Sequence, residues 1–381
     1  MNKKVNVYLM YLIVFLQGFV FYGPIATLYR QARGLSMYEI FLIESIFGIL
    51  MIAFEIPWGW FADRIGYKRT LIFSNLMFFI SKIIFYKASS FRVFLIERVL
   101  LALVLSGISG CDIALLYSSA DESESEKIFG RYSAFSIGGF LIASFISSII
   151  VKQSMDKTAF WTIIPYGIAA VVTLFIKDVD AHLKEKPKLK ESLKTVFSNK
   201  EIVIFIFSIA LIREVVQAVN VFLNQLQYLR SGIDIKYFGI VMAIIQIVRL
   251  SSAKAYKLSS KLGKNRSIEV LYIIIVISCS LLIVTTNPIF SILFITFIAG
   301  SMALINPIVL EIQNKSINTG DRATILSIYA IIGDIVAVSI NPLIGKAADV
   351  SVETAFKICV IICICAYALL FFYKRKSKKV E

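Results

Sequence analysis

The stretch GWFADRIGYKR (59–69) lies between two long apolar runs, and its polar part, DRIGYKRT (63–70), returns far downstream as SKLGKNRS (260–267). Both copies keep a basic residue, a spacer, glycine, two spacers and arginine. Glycine in so short a polar segment permits the tight turn that links two adjacent helices. Gly59, still inside the preceding run, lets a neighbouring helix approach closely. The first copy follows the second apolar run of the chain and the other follows the eighth. Equivalent loops in two halves of six runs point to internal duplication, the build of repeat-based secondary transporters.

The rest of the chain supports that layout. Its 381 residues are 58% hydrophobic and 17% charged, with 30 phenylalanines against 7 prolines and 5 cysteines. A soluble fold cannot hide that much apolar surface. The same composition excludes a disordered chain, a collagenous fibre and a disulfide scaffold. A bilayer core takes about 20 apolar residues as helix, because unpaired backbone groups are not tolerated in hydrocarbon. Twelve such runs are expected, at 5–29, 38–62, 71–89, 92–117, 128–151, 158–177, 201–229, 237–260, 267–286, 288–314, 321–345 and 354–373. Only Thr285, Thr286, Asn287 and Pro288 part the ninth from the tenth, and Asn-Pro favours a turn there. The first run is too long for the apolar region of a signal peptide and lacks a small-residue cleavage site, so it counts as a span.

The net charge of +15 is then a matter of where the cations sit. With both termini cytoplasmic, the inside segments hold about 26 lysines and arginines and the outside segments about 10. The expected place is the cell (plasma) membrane, multi-pass, with both ends inside. The basic excess sets that orientation and attracts anionic lipid headgroups, leaving no role for nucleic acid. A polar linker, 178–200, separates an N-terminal six-helix bundle (1–177) from a C-terminal one (201–381). Within it Leu189, Leu193, Val196 and Phe197 share a helical face opposite several lysines, the pattern of a helix lying on the inner membrane surface.

The segment from Gly59 to Arg69 resembles the cytoplasmic loop motif of the major facilitator superfamily, glycine, three spacers, Asp-Arg/Lys-x-Gly and two basic residues. Gly59, Asp63, Arg64, Gly66, Lys68 and Arg69 fall on the pattern, and Tyr67 departs from it at one basic position. The resemblance implies an all-α integral membrane fold of twelve transmembrane helices in two six-helix bundles. Asp63 emerges at the C-terminal end of its helix, where the helix dipole disfavours a carboxylate, so it should seek a cation or another helix N-terminus. The resemblance supplies the partner: the start of the eleventh span, near Thr319 to Arg322, with Arg131 as the nearby base. Such a contact would latch the outward-open state and break during cycling; a topology-setting charge cluster is the plainer reading. Ser260 replaces the aspartate in the second copy, where the latch is weaker or missing.

Charged and polar residues inside spans are costly and mark function by default. Glu44, Gly48, Met51 and Glu55 form one helical stripe, and Arg98, Leu105, Ser109 and Asp112 another. Arg213, Gln217, Asn220 and Asn224 align on the seventh run, with Glu214 and Gln225 beside them. Gln246 pairs with Arg249, and Asp334 lies near mid-depth of the eleventh run. Such stripes must face protein or water, and together they would line an aqueous cavity. The candidates for proton coupling are Glu55, Asp334, Asp112 and Glu214, in that order, with Arg98 resembling an arginine tied to coupling in the family. Arg213 and Arg249 suit an anionic or zwitterionic substrate group, or hold the acids ionised; Gln217, Asn220, Asn224 and Gln246 complete the substrate-binding set. The bland alternatives are charges satisfied by neighbouring helices and, for Lys82 and Glu44, snorkelling outward.

Other chemistry is not expected. Cys359, Cys363 and Cys365 sit in an apolar run without histidine or acid nearby, so they read as packing and not as a metal site. His182 stands alone in the linker, and no phosphate-binding glycine loop ending in Gly-Lys-Ser/Thr occurs. The expectation is therefore no enzyme, cofactor or metal, but a monomeric transporter whose partners are a small-molecule substrate, protons and membrane lipid. The first reading is proton-coupled efflux of a drug-like or metabolite substrate. The segment SIGGFLIASF carries Gly138 and Gly139 but lacks the proline of many family antiporters. Proton-coupled uptake of a sugar, peptide or organic anion is the alternative.

Overall fold

Apolar runs become helices throughout. The computed structural model describes residues 4–119, 125–179, 189–317 and 322–377, and every regular element among them is helical. Among the described residues ten helical stretches, against the twelve expected, are long and apolar enough to cross a membrane, and Lys4–Gln17 is a shorter apolar helix. Two units emerge. Unit 1 comprises Met1–Leu35, Ile46–Lys184 and Ile235–Ala243, and unit 2 comprises Ser36–Ser45, Glu185–Asp234 and Ile244–Glu381.

The first expected span is not one helix. It divides into α1 (Lys4–Gln17), a 3-10 turn at Gly23–Ile25 and α2 (Ala26–Gln31). The break follows Gly18, where a Cβ would meet the Phe140 backbone nitrogen at 2.8 Å, and Pro24, which has no N–H to donate. α3 (Met37–Ile65) and α4 (Tyr67–Lys87) flank the quoted loop. The fourth run also divides, into α5 (Phe91–Ile108) and α6 (Cys111–Ser119), at Gly110 with φ +82°. That left-handed turn suits glycine alone, so Arg98 and Asp112 do not share one continuous helix. α7 (Ser125–Ile150) packs against α1: a Cβ on Gly139 would stand 2.2 Å from the Phe15 carbonyl oxygen, whereas Gly138 meets nothing. α8 (Met155–Thr173) follows, capped by the Ser154 side chain, which accepts from the Asp156 N–H.

In unit 2, α9 (Leu189–Ser198) buries Val196 and leaves Leu193 and Phe197 exposed. α10 (Lys200–Ala218) passes through a π-helical turn, Val219–Leu223, into α11 (Asn224–Arg230). α12 (Phe238–Arg249) and α13 (Ala255–Leu262) make up the eighth run, and α14 (Lys264–Val284) the ninth. α15 (Pro288–Lys315) starts where the sequence places a turn: Asn287 caps it by accepting from the Ile289 N–H at 2.9 Å. α16 (Arg322–Val350) and α17 (Val352–Ser377) close the chain.

The two loop copies have the same backbone. Gly66 has φ 85° and ψ 156°, and Gly263 has φ 78° and ψ 155°. Each glycine carbonyl accepts from the hydroxyl four residues on, Thr70 at 3.0 Å and Ser267 at 2.7 Å. Tyr67, the departure from the motif, is buried with Val7, Met10, Leu71 and Leu115, where a cation would lose its water.

Short pieces of α3 and α12 are accommodated through glycines. In unit 2 a Cβ on Gly345 would stand 2.8 Å from the Cβ of Phe41. There the Asp349 carboxylate accepts from the N–H groups of Met37 at 2.6 Å and Tyr38 at 3.1 Å, satisfying the first turn of α3. In unit 1 a Cβ on Gly239 would come within 2.0 Å of the Ser144 carbonyl oxygen.

Candidate functional site

The polar stripe of the seventh run opens onto a cavity of about 240 Å³ in unit 2. α10 and its π turn contribute Arg213, Gln217 and Asn220, α12 contributes Arg249, and α15 contributes Met302 and Asn306. No acidic residue lines it among the described residues. Arg213, Gln217, Arg249 and Asn306 are exposed to that space. Arg249 donates to the Gln246 carbonyl oxygen at 3.2 Å, so Gln246 holds the guanidinium instead of lining the cavity. Asn220 donates to the Val216 carbonyl at 2.9 Å, while its own carbonyl oxygen is buried without a partner among the described residues.

The π turn explains why the stripe stops. The Asn224 N–H bonds five residues back to Val219, and this wider turn rotates the succeeding residues away from the preceding face. Asn224 is buried and accepts from the Gln225 N–H at 2.8 Å. Asn306 is the lining residue that sequence reasoning missed. Its signal was a polar amide directly before Pro307 in an otherwise apolar run.

Behind the cavity wall Glu214 is 4% exposed, with Oε1 unpartnered among the described residues. The Asn341 amide faces it, and Glu44, Asp334 and Arg213 act on it electrostatically. Three acids from separate parts of the sequence therefore share one neighbourhood in unit 2. Glu44 does not snorkel free of it, being half-buried, and Asp334 is exposed.

Unit 1 treats its charges differently. Lys82 is 4% exposed, donates to the Tyr22 hydroxyl at 3.1 Å, and stands 4.7 Å and 4.9 Å from the ring centres of Phe78 and Tyr166. It is caged by aromatic rings and does not snorkel. Arg98 lies 3.9 Å from Glu97 and over the Phe47 ring. Asp112 sits in the first turn of α6, where its carboxylate accepts from the Ile113 N–H and the Tyr132 hydroxyl, a position the helix dipole favours. Glu55, first among the coupling candidates, is exposed on α3.

Of the motif residues, Gly66 makes the turn and Arg64 and Arg69 are exposed, with Lys68 half-buried. Arg131 is exposed and borders a cavity shared with Lys4 and Lys127. The side chains of Gly59 and Asp63, the expected latch partner at Thr319 to Asp321, and His182 lie outside the described residues.

Comparison with known proteins adds the family. The description Major Facilitator Superfamily matches residues 7–342. An uncharacterized transporter of Buchnera aphidicola (subsp. Schizaphis graminum) is 29% identical over 154 residues, which span 40% of this chain and only 39% of that protein. Multidrug resistance protein 2 of Bacillus subtilis (strain 168) is 24% identical over 360 residues, 88% of each chain. Among solved structures, the nucleoside transporter NupG superposes with a TM-score of 0.81 at 14% identity, covering 98% of this chain and 99% of that one. At that identity the likeness is one of fold.

Proposed function

The chain belongs to the Major Facilitator Superfamily, and from that premise we propose that it exports a small molecule by proton-coupled alternating access. Membership makes it a multi-pass membrane transporter of the secondary type, and not an enzyme. What supports the finer reading is the pairing on α10. Arg213 opens onto the unit 2 cavity, and the next residue, Glu214, is a buried acid with an unpartnered oxygen. A proton on Glu214 and a solute in the cavity would thus meet on the same helical turn. Any change in one biases the other, which is what coupling requires. Glu214 therefore leads the coupling candidates, with Asp334 beside it, ahead of Glu55 and Asp112. Efflux is favoured by the likeness along 88% of the chain to a multidrug resistance protein.

In this reading the plasma membrane is the site of action and both termini are cytoplasmic. The two bundles (1–177 and 201–381) alternate about the linker, and Asp63 latches one state with Arg131 nearby. The cavity residues Arg213, Gln217, Asn220, Arg249 and Asn306 hold the solute, with Gln246 and Asn224 supporting them. Proton-coupled uptake stays as a second reading, because the two arginines of the cavity suit an organic anion.

Everted membrane vesicles with an imposed pH gradient test the proposal against lipophilic cations and small anions. An exporter accumulates its solute inside them and dissipates the gradient. Flux that keeps its dependence on the gradient in Glu214→Gln overturns the coupling role, and no flux of any compound overturns transport itself. Asp63→Asn should slow turnover while leaving solute binding unchanged.

A further inference from the structure

We infer that the unit 2 cavity binds a small organic anion, a carboxylate or phosphate that also carries a hydroxyl or N–H donor. This rests on the reading of that cavity as the solute site, and it names the class of solute. Neither Arg213 nor Arg249 forms an ion pair among the described residues, and the contact shown for Arg249 is to the neutral amide of Gln246. Two arginines elsewhere do have acid partners: Arg33 with Asp156 at 3.0 Å, and Arg230 with Glu353 at 2.9 Å. Arg213 acts on Glu214 behind the wall, but the space that the two guanidinium groups face has no acid among its described lining residues, so negative charge on a solute would complement it. A guanidinium presents a planar fork that matches carboxylate and phosphate oxygens two at a time.

The remaining polar groups define the rest of the solute. Gln217 and Asn306 carry amide N–H groups suited to further anion oxygens. The buried carbonyl oxygen of Asn220 has no donor among the described residues, so a hydroxyl or N–H on the solute would satisfy it. These groups separate the three uses open to the arginines in the sequence. A zwitterion's ammonium would find no carboxylate in the cavity lining. A lipophilic cation would face like charge. Holding acids ionised is a poor account of Arg249, which has no acid partner in the cavity. The cavity volume of about 240 Å³ fits a compact solute.

Equilibrium dialysis of the purified full chain in detergent, with probes that share one phenyl group, tests this. The probes are mandelate, phenylacetate, phenyl phosphate, styrene glycol and phenylglycinol: two carboxylates, a phosphate, a neutral diol and an ammonium. At least one anion should bind about tenfold or more tightly than the diol and the ammonium. Whether mandelate or phenyl phosphate binds tighter identifies the headgroup. Mandelate should bind better than phenylacetate, and Asn220→Ala should erase that difference. Arg213→Gln and Arg249→Gln should each weaken anion binding about tenfold or more, with Arg→Lys recovering part of it. Asn306→Asp, which keeps the side-chain volume, should weaken anions more than it weakens the diol. Equal binding of the ammonium, binding of no anion, or unchanged anion affinity in both arginine variants overturns the inference. Flux in reconstituted vesicles separates this from the transport reading. Anion binding without proton-driven flux sinks the coupling and spares the anion site. Driven flux of lipophilic cations without anion binding does the reverse.

Discussion

Unit 1 and unit 2 both place cations among apolar helices, but they surround them differently. Lys82 in unit 1 donates to the Tyr22 hydroxyl and holds its charge near the Phe78 and Tyr166 rings, buried from solvent. Arg213 and Arg249 in unit 2 open onto a cavity with amides and without acids. A buried cation wrapped in rings is part of the packing. A cation facing polar space is, on the proposal above, where a solute's negative charge would sit. The loop copies make the same contrast at the backbone level: Gly66 and Gly263 adopt one conformation, yet the residue three before each is Asp63 in one and Ser260 in the other. Duplication preserved the turn and let the charges diverge.

That contrast can be broken most decisively at Lys82. Lys82→Ala removes a buried stem from a filled site and should cost about 2–5 kcal/mol, read as a large drop in the unfolding midpoint in detergent. Arg213→Gln or Arg249→Gln should move that midpoint little, within about 0.5 kcal/mol. Comparable losses in all three variants would show that the arginines too are packing elements. A second test uses the glycines. Gly66→Ala and Gly263→Ala should each cost about 1–3 kcal/mol from backbone strain, since φ there is positive and the surrounding space is open. Markedly unequal losses would separate the two loops that the shared turn unites.

Adjacent glycines in α7 sharpen the point at a helix contact. Gly139→Ala forces a methyl onto the Phe15 carbonyl and should cost about 1–3 kcal/mol. Gly138→Ala meets open space and should be neutral or gain up to about 1 kcal/mol of helix propensity. Thermal unfolding of the pair decides whether this close approach sets the α1–α7 packing. The smallest effect is expected at the start of α3. Asp349→Ala leaves the Met37 and Tyr38 N–H groups without their acceptor, a loss of about 0.5–2 kcal/mol, and Asp349→Asn should recover most of it. No difference between the two variants would mean that water replaces the carboxylate.

Much of this was legible in the sequence because hydrophobicity and glycine act locally. The turn between α14 and α15 could be read from Asn287 and Pro288, and the loop glycines from one repeated pattern. The division of the first run was not legible, since it depends on Gly18 meeting α7, far away in the chain. The fourth run misled for a related reason: the positive φ of Gly110 is a tertiary choice that the flanking apolar residues do not announce. In the seventh run the stripe assumed an unbroken α-helical period, and the π turn ended it after Asn220. Spacing also cannot report burial: Glu214 is buried and Glu55 exposed, a distinction that periodicity does not carry.

Residue order alone was enough to say that this chain crosses a membrane many times, that one loop pattern recurs in it, and which scarce polar residues lie within the apolar runs. These follow from the cost of exposing backbone and charge to hydrocarbon, which each segment meets alone. What each polar residue faces came from packing: rings around Lys82, a backbone end for Asp349, a common acidic neighbourhood for Glu44, Glu214 and Asp334, and a shared cavity for Arg213, Arg249 and Asn306. Those assignments depend on which helices meet and how closely. Side chains from distant runs make them jointly, so no single run contains them.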